Sequence, residues 1–147
     1  MRKILILSLV LLLAGCSTTV SLEAAPLAND PNCAEVSVRL PDQIGELESR
    51  YTNAQATKAW GDPAAVLFRC GLETVEASPL PCVSAGEVDW LVDDSQAPKF
   101  RFISFATTPA VEVIVDSENA SGITVLESIA IAVAKLPVTK KCTLISN

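Results

Sequence analysis

Five cysteines, at positions 16, 33, 70, 82 and 142, constrain this chain more than any other feature. What they can do depends on the compartment, and the N-terminus speaks to that. Arg2 and Lys3 precede an apolar run over residues 4–13 that only Ser8 interrupts, and Ala14, Gly15 and Cys16 follow. The run is shorter than the roughly 20 apolar residues a membrane-spanning helix needs. A positive start, a short apolar stretch and small residues together form the pattern of an export signal. Exported chains fold where thiols oxidise, so an even set of cysteines reads as disulfides. No Cys-x-x-Cys spacing and no histidine occurs, so neither a redox pair nor a zinc site is expected.

Local signals then place the elements. Asp30-Pro31 offers an N-cap carboxylate and a proline at the first helical position. Cys33, Val36 and Leu40 share one helical face, and Pro41 ends it. Ile44 and Leu47 read as one more short turn, weakened by Gly45. Trp60-Gly61-Asp62-Pro63 is a turn. Strands are expected over residues 66–70, 82–83, 88–91, 99–106 and 111–115. Phe100 and Phe102 fall on one face of their strand but Ile103 and Phe105 on the other, so both faces are buried or a bulge intervenes. Val111, Val113 and Val115 alternate with Glu112 and Asp116, the pattern of a half-buried strand, which should pair antiparallel with the strand before it. Thr124 and Glu127 fit a capping box for a last helix, with Leu126, Ile129, Ala130 and Val133 on one face and Pro137 as its stop.

The fold class expected is α+β: an antiparallel β-meander of about four or five strands, with an N-terminal and a C-terminal helix packed on one face and two disulfides. Four cysteines, Cys33, Cys70, Cys82 and Cys142, permit three pairings. Cys70 and Cys82 flank a proline-rich turn between presumed neighbouring strands, while Cys33 starts the first helix and Cys142 lies near the C-terminus. That placement favours Cys70–Cys82 and Cys33–Cys142.

The tetrad Leu13-Ala14-Gly15-Cys16 resembles the lipobox of bacterial lipoproteins. The resemblance implies cleavage after Gly15 and a thioether-linked diacylglycerol on Cys16, which becomes the mature N-terminus. Two or more acyl chains anchor stably where one is marginal. Residues 1–15 are then the signal peptide, 16–29 a flexible tether, and 30–147 a single domain held at the extracytoplasmic face of the cell membrane. Loss of Arg2 and Lys3 takes the net charge from −6 to −8.

The segments Leu13-Ala14-Gly15-Cys16, Asn32-Cys33, Trp60-Gly61-Asp62-Pro63, Arg69-Cys70-Gly71, Val88-Asp89-Trp90-Leu91 and Thr108-Pro109-Ala110-Val111-Glu112-Val113 stand in this order. Their order resembles an actinobacterial lipoprotein family catalogued as domain of unknown function 3515. The resemblance covers most of the mature chain. It implies a small envelope lipoprotein with four cysteines and carries no catalytic residue.

Composition narrows the chemistry. Without histidine, Ser-His, Cys-His and His-metal mechanisms are excluded. A pI near 4.6 excludes an ordinary nucleic-acid binder. No Gly-x-Ser-x-Gly elbow, Ser-x-x-Lys spacing, P-loop or dinucleotide fingerprint occurs. No cofactor and no metal are expected. Glu87, Asp89, Asp93 and Asp94 are the densest carboxylates, able in principle to act as an acid–base pair on a glycan or to ligate calcium, but without a calcium-loop spacing. Asp62 is expected to cap its turn, and Arg69 to pair with Asp62 or Asp89. Candidate ligand contacts are Trp60, Asp62, Glu87, Asp89 and Trp90. The favoured function is non-catalytic binding of an envelope protein or glycan. The alternatives are a carboxylate-dependent hydrolase of cell-wall glycan and a lipid carrier with a cavity lined by Phe100, Phe102 and the valines.

Overall fold

The computed structural model describes residues 18–143. The expected signal peptide, its expected cleavage after Gly15 and the expected lipidation of Cys16 all fall outside them. The elements in order are α1 (Pro31–Ser37), β1 (Gln43–Ile44), β2 (Leu47–Arg50), β3 (Thr57–Trp60), β4 (Val66–Leu72), β5 (Cys82–Ala85), β6 (Val88–Asp93), β7 (Lys99–Ser104), β8 (Ala110–Asp116) and α2 (Gly122–Val133). All eight strands form one antiparallel sheet in the order β1-β2-β3-β4-β8-β7-β6-β5. The first four strands run as one meander. The last four fold back, so that β8 lies beside β4 at the centre.

Eight strands replace the expected four or five. The unforeseen ones are β1, β2 and β3. They are two to four residues long, and β2 reads Leu-Glu-Ser-Arg with no fully buried side chain. Nothing in so short and polar a stretch alternates, so period-two reading fails there. Where a second helical turn was expected, Gly45 at φ +57° instead closes the β1–β2 hairpin.

Both helices cover one face of the sheet. Val66, Phe68 and Cys70 of β4, Phe102 of β7 and Val111, Val113 and Val115 of β8 pack there with Cys33, Val36, Val125, Leu126, Ile129 and Val133. The interval proposed for a lipid cavity is thus filled by helix side chains. Asp30 caps α1 through its carboxylate, which accepts from the Asn32 amide at 2.8 Å. Ser121, rather than Thr124, caps α2.

The opposite face holds a second, smaller core. Leu91, Ile103 and Ala110 lie under Leu72, Val75, Leu80 and Phe105, of which Val75 and Leu80 come from the 73–81 connection. This resolves the conflicting pattern in β7: Phe100 and Phe102 serve the helix side, and Ile103 and Phe105 the other. A bulge in β4 adds Leu72 to this second face. Cys70 pairs with Val111 but Leu72 with Ala110, so the register slips at Gly71 and Leu72 turns to the second face.

The disulfides are Cys33–Cys70 and Cys82–Cys142, with Cα atoms 5.6 and 6.4 Å apart. This overturns the expected Cys70–Cys82 and Cys33–Cys142. Consecutive in sequence, β4 and β5 are four strand positions apart in the sheet, about 19 Å at the usual spacing. A disulfide spans Cα atoms no more than about 7 Å apart.

The expected tether is also corrected. From Thr18 onward the chain is bound to the domain. Val20 forms a parallel bridge with Thr52, and its amide donates to the Tyr51 carbonyl at 2.8 Å. Ala25 and Ala28 are buried, and the Leu27 amide donates to the Gly71 carbonyl at 2.8 Å. Small residues, which resemble a linker in composition, here fit where backbones approach closely.

Candidate functional site

The second face of the sheet is only partly covered. Beside the small core lies an open groove of about 450 Å³, lined by Leu67, Arg69, Glu112 and Ile114 and rimmed by Ser21, Leu22 and Glu23. Strand alternation puts these side chains there: Arg69 is directly opposite Glu112, Leu67 is opposite Ile114, and Arg101 of β7 is opposite Ile114 from the other side.

Glu112 is 6 % exposed and lies between two arginines. Arg69 Nη2 donates to Oε2 at 3.1 Å and to Oε1 at 3.3 Å. Arg101 donates to Oε2 from Nε at 3.0 Å and from Nη2 at 2.7 Å. A carboxylate taken out of water on the floor of a sheet needs such donors, because desolvation alone would be costly. Both arginine side chains keep about a third of their surface, 32 % and 37 %. Arg69 Nε and Nη1 have no protein partner among the described residues, so they can donate to a ligand. With Glu23 and Glu112 also on the lining, the groove does not concentrate positive charge. It suits a neutral ligand with hydrogen-bond acceptors and an apolar side.

The residues singled out from sequence are scattered. Trp60 and Trp90 are fully buried in the helix-side core. Trp60 Nε1 donates to the Pro41 carbonyl at 3.0 Å, whereas Trp90 Nε1 has no partner among the described residues. Neither ring can stack on a ligand. Asp62 is exposed and pairs with Arg50 at 3.0 Å, not with Arg69, whose partner is Glu112. Asp89 is buried and holds two groups: it accepts from Ser84 Oγ at 2.6 Å and from the Cys142 amide at 2.8 Å. It therefore fastens the C-terminal segment beside the Cys82–Cys142 bridge.

Glu87 is exposed at the β5–β6 turn, and Asp93 and Asp94 are at the far end of β6. Six residue steps along the strand lead from Glu87 to Asp93, about 20 Å at 3.3–3.4 Å each. A glycosidase needs its two carboxyls about 5–9.5 Å apart. Hydrogen bonds from the Ser95 side chain and backbone hold the Asp93 carboxyl below its usual pKa, with Arg101 adding in the same direction. That is opposite to the shift a general acid requires. Among the described residues, no group of three or more acidic or cysteine side chains is placed to hold a metal ion.

The chain matches, over residues 4–141, the family described as Protein of unknown function (DUF3515). It belongs to that family. No curated protein and no solved structure gives a significant match. In this DUF3515 chain the sequence reading missed Glu112 as the partner of Arg69, and Arg101 as the second arginine on the same carboxylate. Glu112 was read as the solvent side of a half-buried strand. The available signal was a charged residue flanked by apolar ones in each of three strands: Phe68-Arg69-Cys70, Phe100-Arg101-Phe102 and Val111-Glu112-Val113.

Proposed function

We propose that the protein is a lipid-anchored envelope protein, of the actinobacterial lipoprotein type, that acts by binding a segment of another envelope protein in the Arg69–Glu112 groove. The anchor reading rests on the Leu13-Ala14-Gly15-Cys16 tetrad after its short apolar run. The observation that carries the binding reading is the fate of the carboxylates. Asp89 is committed to Ser84 and Cys142, and Glu87 stands at the opposite end of β6 from Asp93 and Asp94. No converging pair is formed by them. A polypeptide is favoured over a sugar because the groove has aliphatic walls, Leu67 and Ile114, while both tryptophans are buried. Sugars usually want an aromatic platform, and peptide carbonyls match unpaired guanidinium donors.

The test is photo-crosslinking in intact cells, with benzoylphenylalanine at position 67 and, as control, at Val83 on the distant edge strand. A discrete protein adduct from position 67, lost on Arg69→Ala, is the expected result. Equal adducts from both positions, or none from position 67, would refute the groove assignment.

A further inference from the structure

We infer that the lipid bilayer itself is a docking surface for this domain, and that the corner formed by Thr18, Arg50 and Tyr51 is seated at the headgroups. The inference rests on the lipid-anchor reading and adds to it an orientation. It follows from where the bound chain begins. The Thr18 carbonyl and hydroxyl accept from Arg50 Nη2 at 2.6 and 2.9 Å. Val20 is hydrogen-bonded on both sides, its amide to the Tyr51 carbonyl at 2.8 Å and its carbonyl from the Asn53 amide at 3.3 Å. The Leu22 amide donates to Asn53 Oδ1 at 2.8 Å, and Asn53 Nδ2 donates to Ser21 Oγ at 3.2 Å.

Between Cys16 and Thr18 stands one residue, Ser17. Two residue steps reach at most about 7 Å. A free 13-residue leash would average about 20 Å. A domain of this size has a radius of gyration of about 14 Å. A link half as long as that radius does not let the domain present an arbitrary side to the membrane. The point of attachment must lie against it. Tyr51 is 79 % exposed at that corner, and an amphipathic ring of this kind sits well at headgroup depth. Charge is not the cause: Arg50 is paired with exposed Asp62, and Lys58 with exposed Asp42. The seating should therefore resist salt.

The experiment uses the full chain, purified from membranes and placed in phosphatidylcholine vesicles carrying a nitroxide on the headgroup. Tyr51→Trp supplies one reporter and Val83→Trp another. Strands β2 and β5 are six positions apart in the sheet, about 29 Å at the usual spacing. The emission from the native, buried Trp60 and Trp90 is subtracted using the unsubstituted chain. We expect at least a twofold nitroxide quenching of the position-51 reporter, unchanged in high salt, and little at position 83. Inserting 20 Gly/Ser residues after Ser17 should abolish the quenching while the protein stays on the vesicles. Mass spectrometry of the N-terminal peptide separates the two failures. Acylated Cys16 with no quenching at 51, or with equal quenching at both positions, overturns the seating alone. Unmodified Cys16 overturns the anchor and the seating together.

Discussion

Replacing Gly71 by alanine tests the docking of the N-terminal segment directly. Gly71 has φ +111°, a conformation that side chains rarely adopt, and a Cβ there would lie 2.4 Å from the Ala28 amide nitrogen and 2.5 Å from the Leu27 carbonyl carbon. These neighbours are backbone atoms, so no rotamer change relieves the contact. The backbone conformation alone costs about 1–3 kcal/mol. If the 25–30 segment lifts away, the Leu27–Gly71 hydrogen bond goes as well, about 1 kcal/mol. The two buried methyls of Ala25 and Ala28 add about 0.8 kcal/mol each. The sum is about 4 kcal/mol, or about 15 °C in Tm for a domain of this length. Urea unfolding with the disulfides intact measures the loss. Hydrogen exchange at the Leu27 amide shows where it arises. A change below about 0.5 kcal/mol, with Leu27 still protected, would refute the close approach of the two backbones. Full stability with Leu27 exchanging freely would mean that the segment contributes nothing to the fold.

Three further outcomes are expected. Non-reducing peptide mapping should return the Cys33–Cys70 and Cys82–Cys142 linkages; their loops of 37 and 60 residues correspond, in the chain-entropy model, to about 3.8 and 4.3 kcal/mol lost when each pair is changed to serine. Glu112→Gln should cost about 2 kcal/mol in urea unfolding, below the 3–5 kcal/mol of a fully buried pair because water reaches both arginines; an unchanged midpoint would show that the arginines gain nothing from the carboxylate. Asp89→Ala should cost about 2 kcal/mol by leaving the Cys142 amide and Ser84 hydroxyl unpartnered, while Glu87→Ala and Asp94→Ala stay within about 0.5 kcal/mol; the reverse order would return Glu87 to consideration as a functional carboxylate.

The parts of the fold legible in the sequence are those where one residue type answers one local demand. Asp30-Pro31 starts α1, the valines at 111, 113 and 115 mark the buried side of β8, and the β5–β6 and β7–β8 pairings follow from short turns. What was not legible depends on partners far along the chain. The strands β1 to β3 are too short to show an alternation of their own, and β2 buries no side chain fully; pairing with neighbours holds them in the sheet. The disulfide pairing failed because adjacency in sequence was taken for adjacency in the sheet, and the fold-back that puts β8 beside β4 leaves no local mark. The same holds for the groove. Arg69, Arg101 and Glu112 come from three strands, and only the register brings them together. The 18–30 segment misled by composition: alanine and serine serve a tight backbone contact as readily as a loose linker.

The two disulfides do not interleave. One closes a ring within residues 33–70 and the other within residues 82–142, so each belongs to a separate, contiguous half of the polypeptide. A chain threaded outward from its N-terminus can complete the first ring before the second half has emerged, with no correct partner left waiting across the gap. It also means that no covalent cross-link joins the halves. A single cut within residues 73–81 would leave two separately closed pieces, meeting along the β4–β8 seam and between the helices. The integrity of the molecule then rests on that non-covalent seam, and the cut protein offers a direct way to measure its strength.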